Sequence, residues 1–151
     1  MPITNEEKRQ VYSILKTKLK IAVQQEFHLE ALLLEYAIIE DRLSSILRSA
    51  DIVYLRNDGT EISIQKKLDK IRNANVSKRF PIYKKVPMEL ISEIEEWKNV
   101  RNDLVHKSCT RIYNSEEVNQ CARAGNDLVR RISNTARSVK RACEKVGQNN
   151  Q

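Results

Sequence analysis

Apolar side chains return every three or four positions along most of the chain. Val11, Ile14, Leu15, Leu19 and Ala22 do so first, behind Thr4 and Glu7, whose spacing is that of a capping box, so a first helix of about five turns is predicted. Leu29, Leu32, Tyr36, Ile39, Leu43, Ile46, Ala50 and Val53 then form one unbroken stripe, with Phe27, Ala31, Leu34 and Ile38 in a second row beside it. A helix apolar on more than one face is either central to the fold or also serves a subunit interface. Gln24 and Gln25 either separate these two helices or sit inside one long bent helix over residues 4–56, and the pattern allows both.

Asn57, Asp58 and Gly59 mark a turn, after which Ile64, Leu68 and Ile71 predict a shorter third helix ending near Asn75. Lys78, Arg79, Lys84 and Lys85, with Phe80 and Tyr83 among them and prolines at 81 and 87, read as an exposed basic connector. Its two aromatics either meet a polymer or anchor the loop to the core. Pro87 suits the first turn of a fourth helix carrying Leu90, Ile94, Trp97, Arg101 and Leu104, with Trp97 on the core face. Ser115 and Glu117 open a fifth, along which Val118, Cys121, Gly125, Leu128, Ile132, Ala136, Val139, Cys143 and Val146 keep the same rhythm. The predicted fold is all-α: an up-and-down helical bundle of about five helices, one domain over residues 1–147, with a frayed tail at 148–151.

Composition narrows the class further. Hydrophobic residues make up 40% and charged residues 31%, the balance of a globular chain rather than a disordered one. Neither Gly nor Pro occurs between Thr4 and Asn57, which speaks against an all-β architecture. Cys109, Cys121 and Cys143 are spaced by 12 and 22 residues, unlike the paired clusters of zinc sites or a disulfide framework, so free thiols, no metal and no cofactor are expected. No apolar stretch approaches the ~20 residues that span a bilayer, and MPITNEEKRQ has no apolar run of a leader, so a cytoplasmic location without membrane contact is expected. The net charge of +7 favours an anionic partner such as nucleic acid.

The chain has only two histidines, and His106 is the one set among polar groups, in RNDLVH. On a helix Asn102 and His106 share a face, while Arg101 lies on an adjacent side from which a long guanidinium reaches round. An imidazole that moves protons and a guanidinium that stabilises charge on phosphate oxygens are what phosphodiester transesterification requires. A run of basic residues at a helix C-terminus, favoured by the helix dipole, explains the charge but not the arrangement with Asn102.

A helix with Arg, a polar residue beside it and His after four intervening residues resembles the signature of the HEPN superfamily, matched here by Arg101, Asn102 and His106. The long early helix and the motif on the penultimate one are similar to that family over most of the chain. The resemblance implies a metal-independent endoribonuclease in which the 2′-hydroxyl attacks the neighbouring phosphate at a composite site in a homodimer. It also implies a role as a toxin or phage-defence effector, with an antitoxin or another regulatory protein as partner. Glu40 and Asp41 interrupt the second helix's apolar pattern where the family carries acidic or polar helpers, although solvent-facing or ion-paired positions explain them equally well. Some HEPN toxins carry Tyr two residues after the His; here Ser108 stands there, with Tyr113 further on, which speaks against control by nucleotide attachment at that position. Arg123, Arg130 and Arg137 repeat every seven residues, with Arg141 a turn further. Together with Lys84 and Lys85 they form either an RNA track or an ordinary solvated face. The competing function is a non-enzymatic helical module that binds nucleic acid, a nucleotide or a partner protein.

Overall fold

The computed structural model describes residues 3–108 and 114–150; Cys109 and Tyr113 fall outside them. Among the described residues six helices and no strand occur, so the all-α expectation holds. They are α1 (Asn5–Gln24), α2 (His28–Ser49), α3 (Ile64–Val76), α4 (Ile82–Lys85), α5 (Met88–Lys107) and α6 (Ser115–Asn149). α4 is a single turn inside the basic connector, and the other five correspond to the predicted helices. α6 continues through Gly147 to Asn149, beyond the expected end of the domain at residue 147.

The capping box forms as its spacing implies: the Glu7 amide donates to Thr4 Oγ1 at 3.2 Å and the Thr4 amide to Glu7 Oε2 at 2.7 Å. α1 and α2 are separate helices, and the break between them is a backbone device that glycine counting misses. Glu26 has φ +57°, its amide donates to the Val23 carbonyl, and the Phe27 amide donates to the Ala22 carbonyl. That pair of bonds is a Schellman termination, usually built on glycine. Asp51 (φ +55°) ends α2 and Lys78 (φ +54°) ends α3 with the same two bonds. An L-residue in the left-handed region costs about 1 kcal/mol or more. Glu26→Gly and Lys78→Gly are therefore each expected to raise the unfolding free energy by up to about 1 kcal/mol in urea titrations, after the glycine's own entropy cost. A loss of stability would mean that the two side chains, not the backbone, hold these turns.

Contacts divide the chain into two units, Met1–Ile38 with Trp97–Asp127, and Ile39–Glu96 with Leu128–Gln151; α2, α5 and α6 contribute residues to both. In the first unit, Leu19, Ala22, Ala31, Leu32, Trp97, Val118 and Ala122 are buried. The predicted inner face of α1 is buried only at its end: Val11 and Ile14 are 47% and 54% exposed, because only the last turns of the helix are covered. The second row on α2 is likewise buried at Ala31 and Ile38 but open at Phe27.

In the second unit, Leu43, Ile46, Leu68, Ile71, Ile91, Ile94, Ile132 and Val139 form the core. Lys67 is fully buried within it, donating to Glu61 at 2.6 Å and to Glu40 at 3.4 Å. The Asn57–Gly59 turn closes as expected, with Gly59 at φ +83° and the Thr60 amide donating to Asp58 Oδ1. The basic connector is held by Ile82 and Val86, both buried. Its aromatics are only partly covered: Phe80 and Tyr83 remain 43% and 39% exposed.

Candidate active site around Arg101

Arg101 lies in the second half of α5, within the first unit, and its side chain is held rather than free. The guanidinium carbon sits 4.4 Å from the centroid of the Tyr36 ring on α2, and Nη1 donates to Asn102 Oδ1 at 3.0 Å. Stacking a cation on an aromatic face fixes the plane of the guanidinium and with it the direction of its donors. Its Nε is buried and has no hydrogen-bond partner among the described residues.

His106 is one turn beyond Asn102, in the last turn of α5, and its side chain is exposed. At 3.6 residues per turn it stands about 40° round the helix from Asn102 and about 140° from Arg101. The structure thus brings Arg101 and Asn102 together, and no hydrogen bond among the described residues joins His106 to either. The end of α5 is secured by other motif residues: Lys107 pairs with Asp103, and the Ser108 hydroxyl donates to the Val105 carbonyl at 2.7 Å.

The same stretch of α2 carries a group the sequence pattern did not single out. Glu35, one residue before Tyr36, is fully buried, and neither carboxyl oxygen has a hydrogen-bond partner among the described residues. Burial pushes its pKa up to about 9, so at neutral pH it is an uncharged carboxylic acid. Its neighbours include Cys121, whose thiol is pushed up to about 11 by burial first and then by Glu35, with Arg101 pulling the other way. Trp97 closes the cluster as core, its Nε1–H donating to the Cys121 carbonyl at 2.9 Å. The signal for Glu35 was its register: it stands three residues after Leu32 and four before Ile39, inside the stripe rather than beside it.

Gly125 on α6 makes room for this acid. A Cβ there would meet Glu35 Oε2 at 2.1 Å and Trp97 Cζ2 at 2.7 Å. Both neighbours are buried, so neither moves aside cheaply. Gly125→Ala is expected to lower the unfolding free energy by about 1–3 kcal/mol by thermal or urea denaturation, despite alanine's better helix propensity. Unchanged stability would show that the acid and the indole are free to shift.

Comparison of the chain with family models, with curated proteins and with solved structures gives no match.

The remaining site candidates fall elsewhere. Glu40 and Asp41 belong to the second unit and have cationic partners there, Lys67 for Glu40 and Arg42 for Asp41. Arg123 is exposed and lines a cavity of about 270 Å³ in the first unit with His28, Asn119 and Asn126. Arg130 and Arg137 are exposed in the second unit, and Lys84 sits over the Tyr83 ring. Arg137, Arg141 and Lys85 share a second, larger cleft. Cys143 donates from Sγ to the Ser49 carbonyl and is a free thiol, as is Cys121. Among the described residues no helix is long and apolar enough to cross a membrane, and no three His, Cys, Asp or Glu side chains are grouped as a metal site requires.

Proposed function

We propose that this chain is a metal-independent endoribonuclease with chemistry of the HEPN kind, acting as a homodimer. The observation that carries the reading is Arg101, a guanidinium fixed on the Tyr36 ring and tied to Asn102, one and a half turns before an exposed imidazole on the same helix. In the proposed reaction the 2′-oxygen attacks the adjacent phosphorus as its proton passes to a base, and the bond to the 5′-oxygen breaks as that oxygen takes a proton. The products are a 2′,3′-cyclic phosphate and a 5′-hydroxyl. Arg101 stabilises the charge that builds on the non-bridging oxygens, His106 moves protons, and Asn102 holds the guanidinium in its orientation.

One His106 supplies one proton carrier, and it stands well round the helix from Arg101, so a second copy of the chain completes the set. The bare apolar positions of α1 support such pairing, since Val11, Ile14 and Ile21 are each about half exposed at spacings of three and seven. Sedimentation showing only monomer at assay concentrations would contradict the dimer.

The chemical test is the nature of the cut ends. RNA incubated with the protein in excess chelator is expected to yield cyclic-phosphate and 5′-hydroxyl termini by mass spectrometry. Termini bearing 5′-phosphate, or cutting that stops on chelation, would refute this reading. The other candidate, a module that binds nucleic acid without cutting it, is favoured by one observation, the basic cleft on the second unit.

A further inference from the structure

The second unit carries a cleft of about 590 Å³ whose charged lining is entirely basic. Arg137, Arg141 and Lys145 project into it from α6, and Lys85 comes from the connector that contains α4. No acidic residue lines it, and among the described residues no ion pair engages any of these four cations. Gathering four like charges without counter-charges is unfavourable for the protein alone and favourable once an anion enters. Elsewhere in this unit Lys67, Arg72 and Arg131 each pair with a glutamate.

Three further features narrow the anion. The volume lies well above that of a single phosphate and within the range of nucleotide-sized sites, roughly 300–1,000 Å³. Arg137, Arg141 and Lys145 follow one another at four-residue steps, about 6 Å apart along the helix axis, so they form a row rather than a point. Phe80 lines the same cleft with 43% of its surface open, although burying a phenyl ring is ordinarily favourable. A row of cations beside an open aromatic face is the combination that binds single-stranded nucleic acid, phosphates on the cations and a base on the ring. Asn134, Ser138 and Asn149 add uncharged hydrogen-bonding groups to the lining.

We infer that this cleft is a binding site for single-stranded RNA, with the backbone along Arg137, Arg141 and Lys145 and a base stacked on Phe80. The choice of RNA over DNA rests on the proposed ribonuclease activity; the strand-binding geometry does not. The site is built from Phe80, Lys85 and residues 134–149 of the second unit and includes no residue of the Arg101 motif. It holds substrate and takes no part in the bond-breaking step.

The test uses the full-length protein and a fluorescent 2′-O-methylated oligouridylate, which lacks the attacking hydroxyl and stays intact whether or not the chain is a nuclease. Anisotropy titration over a series of salt concentrations is expected to show binding that Arg141→Glu and Lys145→Glu each weaken about tenfold or more. The double neutralisation Arg141→Gln with Lys145→Gln is expected to reduce the slope of log K against log salt by about 1.4, as two lost phosphate contacts on a single strand require. Phe80→Ala is expected to weaken the oligonucleotide and leave inorganic tripolyphosphate binding unchanged. Melting curves of these variants, all at exposed positions, are expected to match wild type. The inference is overturned if the charge reversals leave affinity unchanged, if Phe80→Ala has no effect on the oligonucleotide, or if polyglutamate of equal charge competes as well as the oligonucleotide. Binding that responds as described in a protein that cuts no RNA would leave the strand site standing and remove the nuclease reading alone.

Discussion

Arg101→Lys is expected to lower RNA cleavage by at least about 100-fold while the protein stays folded. The substitution keeps the positive charge and removes three other things: the planar fork, the stacking on Tyr36 and the bond to Asn102. A lysine ammonium is a mobile point charge, whereas a transition state with two charged non-bridging oxygens is best matched by two donors held in one plane. The lost cation–π contact costs about 1–2 kcal/mol at this partly buried position, so denaturation should shift only modestly. The separation of a large kinetic effect from a small stability effect is the informative feature. Cleavage by Arg101→Lys at the wild-type rate would show that general positive charge suffices, and the oriented guanidinium would lose its proposed role.

Glu35 is expected to make the fold less stable as pH rises. Its pKa is about 4.5 in the unfolded chain and about 9 when folded, so the folded state binds the proton more tightly. Its contribution is complete below about pH 4.5 and is lost progressively up to about pH 9, at roughly 1.4 kcal/mol per pH unit. Between pH 5.5 and 8 the unfolding free energy should fall by about 3 kcal/mol from this group, a sizeable share of the roughly 5–15 kcal/mol typical of a domain. Glu35→Gln keeps the shape and removes the titration, so its urea midpoint should be nearly flat over the same interval. Parallel pH profiles for wild type and Glu35→Gln would mean that the carboxyl is not held neutral in the folded protein.

Periodicity made the helices legible because each buries an apolar face, and that requirement repeats at 3.6 residues regardless of the fold's details. What it left open was where helices stop. Glu26, Asp51 and Lys78 occupy positions where glycine is the usual signal, and the bonds that impose the left-handed turn are backbone bonds invisible in side-chain identity. The same limit explains α1: Val11 and Ile14 share spacing with Leu19 and Ala22, and spacing records which residues face one way, not how far a partner surface extends.

The site was legible in part for a related reason. Arg101 and Asn102 were found by their order in the motif, and the structure adds the hydrogen bond between them. Tyr36 and Glu35 were not assigned to the site, because their approach to α5 and α6 depends on packing among residues about 60 to 90 positions apart. Glu40 and Asp41 drew attention as polar breaks in an apolar stripe, yet their cationic partners are Lys67 and Arg42. The sequence pattern pointed to Arg137, Arg141 and Lys85, whereas Phe80 and Lys145 join them in one cleft through the fold.

The most direct measurement is a time course of cleavage of a labelled single-stranded RNA in excess chelator, with wild type and His106→Ala at matched concentration and matched melting temperature. An imidazole that transfers the protons of the reaction predicts steady accumulation of fragments with wild type and almost none with His106→Ala. Equal cutting by the two proteins, or intact RNA in both reactions, would contradict it.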